Sequence, residues 1–366
     1  MWRLLDLGAV DGYTMTNLYE AVAKAVSEGS SPNTVILDYP TNPFVNIGYH
    51  QIMEKEINID YAREMGFSLV RRTIGGGAIL DGPWEQDYFA VVNRKSLDCP
   101  STIPEFYEKF TKPALFALKC FGLEAQLRKP NDLTIGGRKI SGNGAITIDQ
   151  ANVLAGDILM QSPADLMSKI IKAPSEKFKD KLADSMSQWL TSLERELGEA
   201  PSREDVKSHL VEGYEKEISV SLQPGTLSDT EKGYLNELLE ERRGEDWIFS
   251  KDLELRHLLS DEGRGAKVKE GVTVLESIYK AGKLLRVTVV AHDNRIEGIS
   301  ISGDFFTQPF MGAVSKLEGA LVGVELEEAP LLSAVSKVLT VTGIRVLGAT
   351  SEDFVAAILK TKEYLR

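Results

Sequence analysis

Apolar and polar positions change their period along the chain, and the changes mark its elements. Four short β-rich runs, Thr34 to Tyr39, Phe44 to Tyr49, Phe67 to Arg72 and Tyr88 to Asn93, are bounded by Pro, Asn and Gly and predict strands. Apolar residues recur at helical spacing from Met15 to Ser27 and from Pro104 to Phe121. The second of these opens with Thr102-Ile103-Pro104-Glu105, a cap followed by proline in the first turn. Three more strands follow, Asp132 to Ile135, Arg138 to Ile148 and Asn152 to Met160, with Gly136 and Gly137 forming a tight hairpin between the first two. From about Pro163 to Arg243 the pattern turns helical and polar, with one apolar face each on Ser187 to Leu197, Arg203 to Lys216 and Ser228 to Arg242. The polar, glycine-containing stretch Ser260 to Gly271 reads as a linker. Beyond it, Leu284 to His292 and Arg295 to Ser302 alternate around the turn His292-Asp293-Asn294-Arg295, which predicts a hairpin. Helices at Met311 to Val322, Pro330 to Leu339 and Ser351 to Tyr364 complete a unit of about 100 residues, a size that folds as a domain. The expectation is an α+β chain with a mixed or antiparallel sheet, divided at 1–250 and 251–366, with the helical elaboration at about 163–243 inside the first part.

Composition narrows the class without changing this picture. A chain of 366 residues with 43% hydrophobic and 26% charged residues is that of a globular protein with room for two domains. Its net charge of −12 argues against a nucleic-acid partner, which requires a basic face. Neither a targeting segment nor an apolar run of spanning length is evident, so the expectation is a cytoplasmic monomer without membrane contact. Cys99 and Cys120 lack the spacing of a zinc or disulfide pair, and His50, His209, His257 and His292 are too scattered to read as a metal motif.

Two clusters carry chemistry. Arg71-Arg72-Thr73-Ile74-Gly75-Gly76-Gly77-Ala78-Ile79-Leu80 joins two guanidinium forks to glycines whose backbone N–H groups can approach an anion. Asn131-Asp132-Leu133 followed by Gly137-Arg138-Lys139-Ile140-Ser141-Gly142 sets a lysine just past a hairpin turn, beside residues that leave space for a ligand. The pairs Arg71-Arg72, Arg128-Lys129 and Arg138-Lys139 suggest a positive pocket on an acidic body.

Set in this order, these segments resemble the lipoate-protein ligase A family within the biotin and lipoate protein ligases. Trp2-Arg3-Leu4-Leu5-Asp6 and Val45-Asn46-Ile47-Gly48-Tyr49-His50-Gln51 add to the match. Gly282 to Val287, Asn294-Arg295-Ile296 and Ser302-Gly303-Asp304-Phe305-Phe306 resemble the family's C-terminal accessory domain. The resemblance implies a biotin/lipoate-ligase-like catalytic domain with flanking helices, and an ATP-dependent reaction. Lipoate would be activated to lipoyl-AMP and passed to a lysine of an acceptor protein domain, with lipoate or octanoate as the acid and ATP with Mg2+ as substrate and metal. It assigns Lys139 as the catalytic cation. It assigns Arg71, Arg72, Gly75, Gly76, Gly77, Ala78, Ile79, Leu80, Asn131, Asp132 and Gly142, with Lys139, to binding ATP and lipoyl-AMP. Asp132 either orients Lys139 or holds magnesium. Ile47, Val70 and Ile140 would line a slot for the acyl chain, or serve as ordinary core.

The chain departs from the family pattern at two places. Asp81-Gly82 stands where His-Asp is common, and Ala155-Gly156-Asp157 where His-Gly-Thr is usual. Both changes remove a donor near the expected acyl site. The nearest alternative function is an octanoyl or lipoyl transferase of the same superfamily. A thioester route would need an activated cysteine, and Cys99 and Cys120 both lie outside the motifs. A non-catalytic protein binding lipoyl domains or nucleotide is the other alternative.

Overall fold

A computed structural model describes residues 2–172, 184–260 and 272–364. The chain packs as two compact units, and the division is not contiguous in sequence. Unit one comprises Met1–Asn46, Ile57–Arg72 and Ile79–Gly244, and unit two comprises Ile47–Glu56, Thr73–Ala78 and Glu245–Arg366. The linker expected at 260–271 falls, apart from Ser260, outside the described residues. No helix among the described residues is long and apolar enough to cross a membrane.

Unit one is built on β1 (Trp2–Val10), β2 (Thr34–Pro40), β3 (Phe44–Ile47), β4 (Ser68–Arg71), β5 (Ile79–Asp81), β6 (Glu85–Asn93), β7 (Gln126–Arg128), β8 (Asp132–Ile135), β9 (Arg138–Ile148), β10 (Ala151–Leu159) and β11 (Leu222–Pro224). Eight of these form one mixed sheet in the order β11-β1-β2-β6-β10-β9-β8-β7, parallel where β1 meets β2 and β11 and antiparallel from β2 onward. A smaller sheet has the order β4-β3-β5. Central strands are buried on both faces, which is why Val35-Ile36-Leu37 and Tyr88-Phe89-Ala90-Val91-Val92 read as unbroken apolar runs rather than alternating ones.

The helix Gly12–Glu28 starts at Asp11, whose carboxylate accepts the N–H groups of Tyr13 and Thr14, and ends at Gly29 in the left-handed region. It buries Met15, Leu18, Val22 and Val26 and packs against the helix Asp229–Arg242, itself capped by a Ser228–Glu231 box. The expected Thr102–Glu105 capping box is present too. The single helix expected over 104–121 is two, Ile103–Phe110 and Lys112–Cys120, because Pro113 cannot continue the first ladder. The run expected as one helix over 187–197 is likewise split, into residues 184–189 and Leu193–Leu197.

Unit two contains the antiparallel sheet β12 (Val272–Lys280), β13 (Leu284–His292) and β14 (Arg295–Gly303) and the pair β15 (Phe306–Gln308) and β16 (Arg345–Leu347). The β13–β14 turn places Asp293 and Asn294 at φ 48° and 62°, as a two-residue hairpin demands. Helices Ala313–Leu321, Glu328–Thr342 and Ser351–Lys360 cover one face, burying Val287, Val289, Ile301, Phe305, Leu317, Leu331 and Phe354 in a common core.

One buried ion pair clamps the two long helices of unit one. Arg242 donates to Glu20 Oε2 at 2.7 Å and Oε1 at 2.9 Å and to Asn17 Oδ1 at 2.9 Å, with both charged side chains 4% exposed. Removing one member leaves a buried uncompensated charge. Glu20→Ala is therefore expected to cost about 3–5 kcal/mol, read from the denaturant midpoint; a loss below about 1 kcal/mol would mean that the pair behaves as if solvated.

Candidate active site

The register of the large sheet lays out a row of carboxyl groups. Asp38 on β2 pairs with Asp87 on β6, and Asp87 pairs with Asp157 on β10. Gly156 pairs with Asn143, so the next residues along, Asp157 and Gly142, come side by side, and Asp157 Oδ1 accepts the Gly142 N–H at 2.6 Å. Gly142 in turn pairs with Asp132 on β8. Directly opposed residues share a face, so Asp38, Asp87, Asp157 and Asp132 form one transverse row interrupted by Gly142.

Lys139 fills the interruption. A Cβ at position 142 would lie 2.7 Å from Lys139 Nζ and 3.3 Å from Asp157 Oδ1, so the amine rests where only glycine leaves room. Asp132 Oδ1 holds Nζ at 3.0 Å, and Arg128 Nη2 takes Asp132 Oδ2 at 2.8 Å. The Trp189 ring stands 5.4 Å from Nζ and 5.7 Å from the Arg128 guanidinium. It is positioned by Leu190, buried against Leu159 and Ala164, and by the Thr191 N–H, which donates to the Lys139 carbonyl at 2.8 Å. Both Asp132 oxygens are thus engaged by cations, an arrangement that fixes the position of the Lys139 amine.

Beneath the lysine, buried polar groups fix β8 against β9. Asn131 Nδ2 donates to the Asn143 carbonyl at 2.6 Å, Asn143 Nδ2 donates to the Asn131 carbonyl at 3.1 Å, and the Tyr88 hydroxyl donates to Asn143 Oδ1 at 2.6 Å. Asn131 thus acts on the shape of the strand pair. Gly156 allows the arrangement, since a side chain there would meet the Tyr88 ring at 2.5 Å.

Arg72 reaches the same region through a second acid. It donates to the Asn46 carbonyl at 3.1 Å and to Asn46 Oδ1 at 3.3 Å, while Asn46 Nδ2 donates to Asp81 Oδ2 at 2.7 Å. Asp81 feels the charges of both Arg72 and Asp157, so Arg72, Asp81, Asp157 and Lys139 form one electrostatic chain. Ile79 and Leu80 lie on the strand that carries Asp81. Arg71 differs from its expected role as an open anion fork. Its side chain is buried at 1% exposure, shut away from any ligand in solution.

Gly75, Gly76, Gly77 and Ala78 belong to unit two. A Cβ on Gly75 would come 2.4 Å from the Phe305 carbonyl, and Gly76 sits at φ 99°, so the packing explains both glycines. Gly77 has neither constraint: its φ is not in the left-handed region and the nearest atom to a Cβ there is Asp304 Cβ at 3.8 Å. The expected positive pocket is also not what surrounds Lys139. Lys129 pairs with Glu108 at 2.6 Å and Arg138 with Glu196 at 2.8 Å, leaving the lysine among carboxyl groups. Val70, Ile140 and Ile47, expected either to line a slot or to serve as ordinary core, are buried at 2%, 0% and 0% exposure.

Protonation varies along the row. Burial raises the Asp132 carboxyl, but Lys139 and Arg128 outweigh it and hold the group below the usual range. Asp157 is pushed up to about 6, by burial first, with Lys139 opposing. Asp81 rises to about 7 and Asp38 to about 8, both mainly by burial, and Asp87 and Glu85 go well above the ordinary value for the same reason. The Arg203 guanidinium, 3.7 Å above the Tyr39 ring, donates to the carbonyls of Pro83 and Glu85 and partly offsets Asp87. Asp38, Glu85, Asp87, Trp189 and Arg203 were not among the residues expected here. The available signal was an acid inside an apolar strand, as in Val35-Ile36-Leu37-Asp38-Tyr39.

The family model for the lipoyl protein ligase A/B catalytic domain matches residues 11–215. Octanoyltransferase LipM of Moorella thermoacetica is 29% identical over 269 residues, covering 68% of this chain and 97% of the relative. Lipoate-protein ligase A subunit 1 of Thermoplasma acidophilum is 25% identical over 257 residues, covering 67% and 95%. Among solved structures, the bi-partite lipoate protein ligase of Thermoplasma acidophilum superposes with a TM-score of 0.60 at 24% identity, over 68% of this chain and 95% of that one. LipL1 of P. falciparum in complex with lipoate superposes with a TM-score of 0.68 at 14% identity, over 98% of both chains. The mixed α+β fold is thereby shared with lipoate-protein ligase structures.

The acid row makes stability pH-dependent. Asp157, Asp81 and Asp38 titrate in the folded state at about 6, about 7 and about 8, above their unfolded values. The folded protein therefore keeps protons that the unfolded chain has lost. The stability tied to them is complete below about pH 4 and is lost as the pH rises through the folded values. The unfolding midpoint is expected to fall from about pH 5 to about pH 8.5, and Asp38→Asn with Asp81→Asn to flatten the slope. A wild-type midpoint constant over that range would show that these carboxyls are not held protonated.

Proposed function

Because the chain belongs to the lipoyl protein ligase A/B catalytic domain family, we propose that it joins an octanoyl or lipoyl acyl group to the side-chain amine of an acceptor-protein lysine, with Lys139 polarising the reacting centre. The observation that carries this reading is the Lys139 amine resting over Gly142 and fixed by Asp132. A cation held in place before reaction stabilises charge that develops in the transition state more than charge already present. The acceptor amine must shed a proton before it attacks the acyl carbon. Asp157, beside the amine and titrating at about 6, receives that proton. The amide bond forms as the bond from the acyl carbon to its leaving group breaks, and the leaving group departs as a thiolate or as AMP.

The leaving group separates two readings. Several curated relatives at 24–29% identity are octanoyltransferases, which supports transfer from a carrier-protein thioester and makes it the first reading. The second, ATP-dependent activation of the free acid, is supported by the 25% identity to lipoate-protein ligase A subunit 1 of Thermoplasma acidophilum. Burial raises both thiols, and neither is poised as a nucleophile. Cys99 accepts from Asn152 Nδ2 at 3.5 Å, five residues along β10 from Asp157, a run of about 17 Å. Transfer in this chain then proceeds directly to the acceptor or through an adenylate, rather than through an enzyme-bound thioester. In the ATP reading Arg72 holds a phosphate and magnesium arrives with the nucleotide as substrate.

A lipoyl-acceptor domain supplied either with octanoyl carrier protein and no ATP, or with octanoate or lipoate and ATP, decides between the two by which gains acyl mass. Gain in neither, with folded protein, overturns the proposal. Lys139→Met is expected to lower transfer about 10²–10³-fold in protein that still unfolds cooperatively, and normal turnover would remove Lys139 from its role. Gly77→Ala tests the glycine loop: the fold accepts the methyl group, so unchanged stability with impaired transfer would mark a ligand passing close to that backbone, and unchanged transfer would exclude it.

A further inference from the structure

A second constellation lies on two helices of unit one. The helices Lys112–Cys120 and Arg203–Gly213 approach so closely that a side chain on Gly213 would stand 2.6 Å from the Pro113 carbonyl. That packing brings Cys120, at the end of the first helix, alongside His209 and Glu212, one turn apart on the second. One ligand atom from each lies within 4.8 Å of the other two, and among the described residues no other three His, Cys, Asp or Glu side chains converge as closely.

We propose that Cys120, His209 and Glu212 form a site for a borderline transition-metal ion of the zinc class, with a water molecule as fourth ligand. The donor set selects the metal. Thiolate and imidazole suit Zn2+ and its neighbours, whereas Mg2+ and Ca2+ take oxygen. The orientation of the side chains agrees. His209 Nδ1 is out of reach of solvent, has no hydrogen-bond partner, and faces Glu212 Oε2 at 3.8 Å, too long for a hydrogen bond. Glu212 uses its other oxygen, Oε1, to accept from Lys216 Nζ at 2.6 Å, so Oε2 stays turned toward the imidazole. The Phe121 ring meets His209 edge-on at 5.0 Å and fixes its plane.

A buried imidazole nitrogen without a partner is costly, and a cation between nitrogen, oxygen and sulfur removes that cost. Tetrahedral Zn2+ with bonds of about 2.0–2.3 Å sets its ligands roughly 3.3–3.8 Å apart, so closure needs side-chain shifts of about 1 Å and no backbone change. Cys120 is exposed at the surface, which leaves an entry path and an open position for water. Binding converts the thiol to a thiolate and releases one proton to solvent. The ion would cross-brace two helices far apart in sequence and mask the exposed thiol from oxidation.

The test uses the full chain without a histidine tag, stripped by chelator and titrated with Co2+. One equivalent is expected to give thiolate-to-cobalt charge-transfer absorption with the visible bands of a tetrahedral ion, and Zn2+ to bleach both. Cys120→Ser should abolish the charge-transfer band, and His209→Gln should weaken zinc binding roughly tenfold or more. Zinc should raise the unfolding midpoint of the wild type and leave that of Cys120→Ser unmoved. Acyl transfer by Cys120→Ser without metal should match the wild type. Absence of the charge-transfer band, or a band that survives Cys120→Ser and is lost in Cys99→Ser, overturns the proposal.

Discussion

Asp157 accepts the Gly142 N–H, and through that bond two otherwise separate features become one: the register of β10 against β9 and the resting place of the Lys139 amine. A slip of one residue between these strands would turn Asp157 to the other face of the sheet and bring a side chain into the space the amine occupies. The same register fixes Asp87 opposite Asp157 and Asp38 opposite Asp87. Gly142 therefore serves less as a flexible residue than as a gap of defined size in a carboxyl row. Ser141 and Asn143 on either side of it are buried in the network with Tyr88 and Asn131, just past the register shift that leaves Ile140 without a partner on β8.

Charge along the row is kept where cations touch it. Asp132, held by Lys139 and Arg128, stays ionised, and Asp157, opposed by Lys139, titrates at about 6, whereas Asp87 and Asp38 are pushed higher, Asp38 to about 8. Burial acts on all of them in the same direction, and beside Lys139 the cations oppose it. Such a row lowers stability at neutral and alkaline pH, and a fold carries such a feature where a site needs it. Asp81 and Asp157, which feel each other's charge, both stand where the sequence departs from the pattern of the family it resembles.

How much of this was legible in the sequence depended on the range of the interaction. The strands Asp132–Ile135 and Arg138–Ile148 and their glycine turn follow from local signals, as does the Thr102 cap. Lys139 stood out because its neighbours are small. β1, β11 and β12 escaped notice, since β1 and β11 pair with partners thirty or more residues away and β12 lies just after the polar stretch that dominates its window, and the three-residue strands β5, β7, β15 and β16 are too short to show a period. The expectation of a positive pocket failed for a related reason: Glu108 and Glu196, which neutralise Lys129 and Arg138, come from helices that no local pattern places there. The same limit hid the Cys120–His209–Glu212 cluster, whose members are some ninety residues apart. Arg71 shows the converse error, because adjacency to Arg72 suggested a shared role although Arg71 is buried at the end of β4 and Arg72 lies just past it.

An acid-lined region is an odd neighbour for an octanoyl or lipoyl chain, and the pattern of protonation resolves the oddity within the proposed reaction. Burial keeps Asp38, Glu85 and Asp87 protonated near neutral pH, so most of the lining is uncharged. The two carboxyls of the row that ionise below neutral pH, Asp132 and Asp157, flank Lys139. One is spent in orienting that amine, which leaves Asp157 as the negative charge able to meet an incoming ammonium group. Negative charge is thus concentrated where the acceptor lysine must be received and deprotonated, and withheld where an apolar chain could not tolerate it. A uniformly ionised row would attract the acceptor more strongly but would also neutralise the cation on which the acyl step depends.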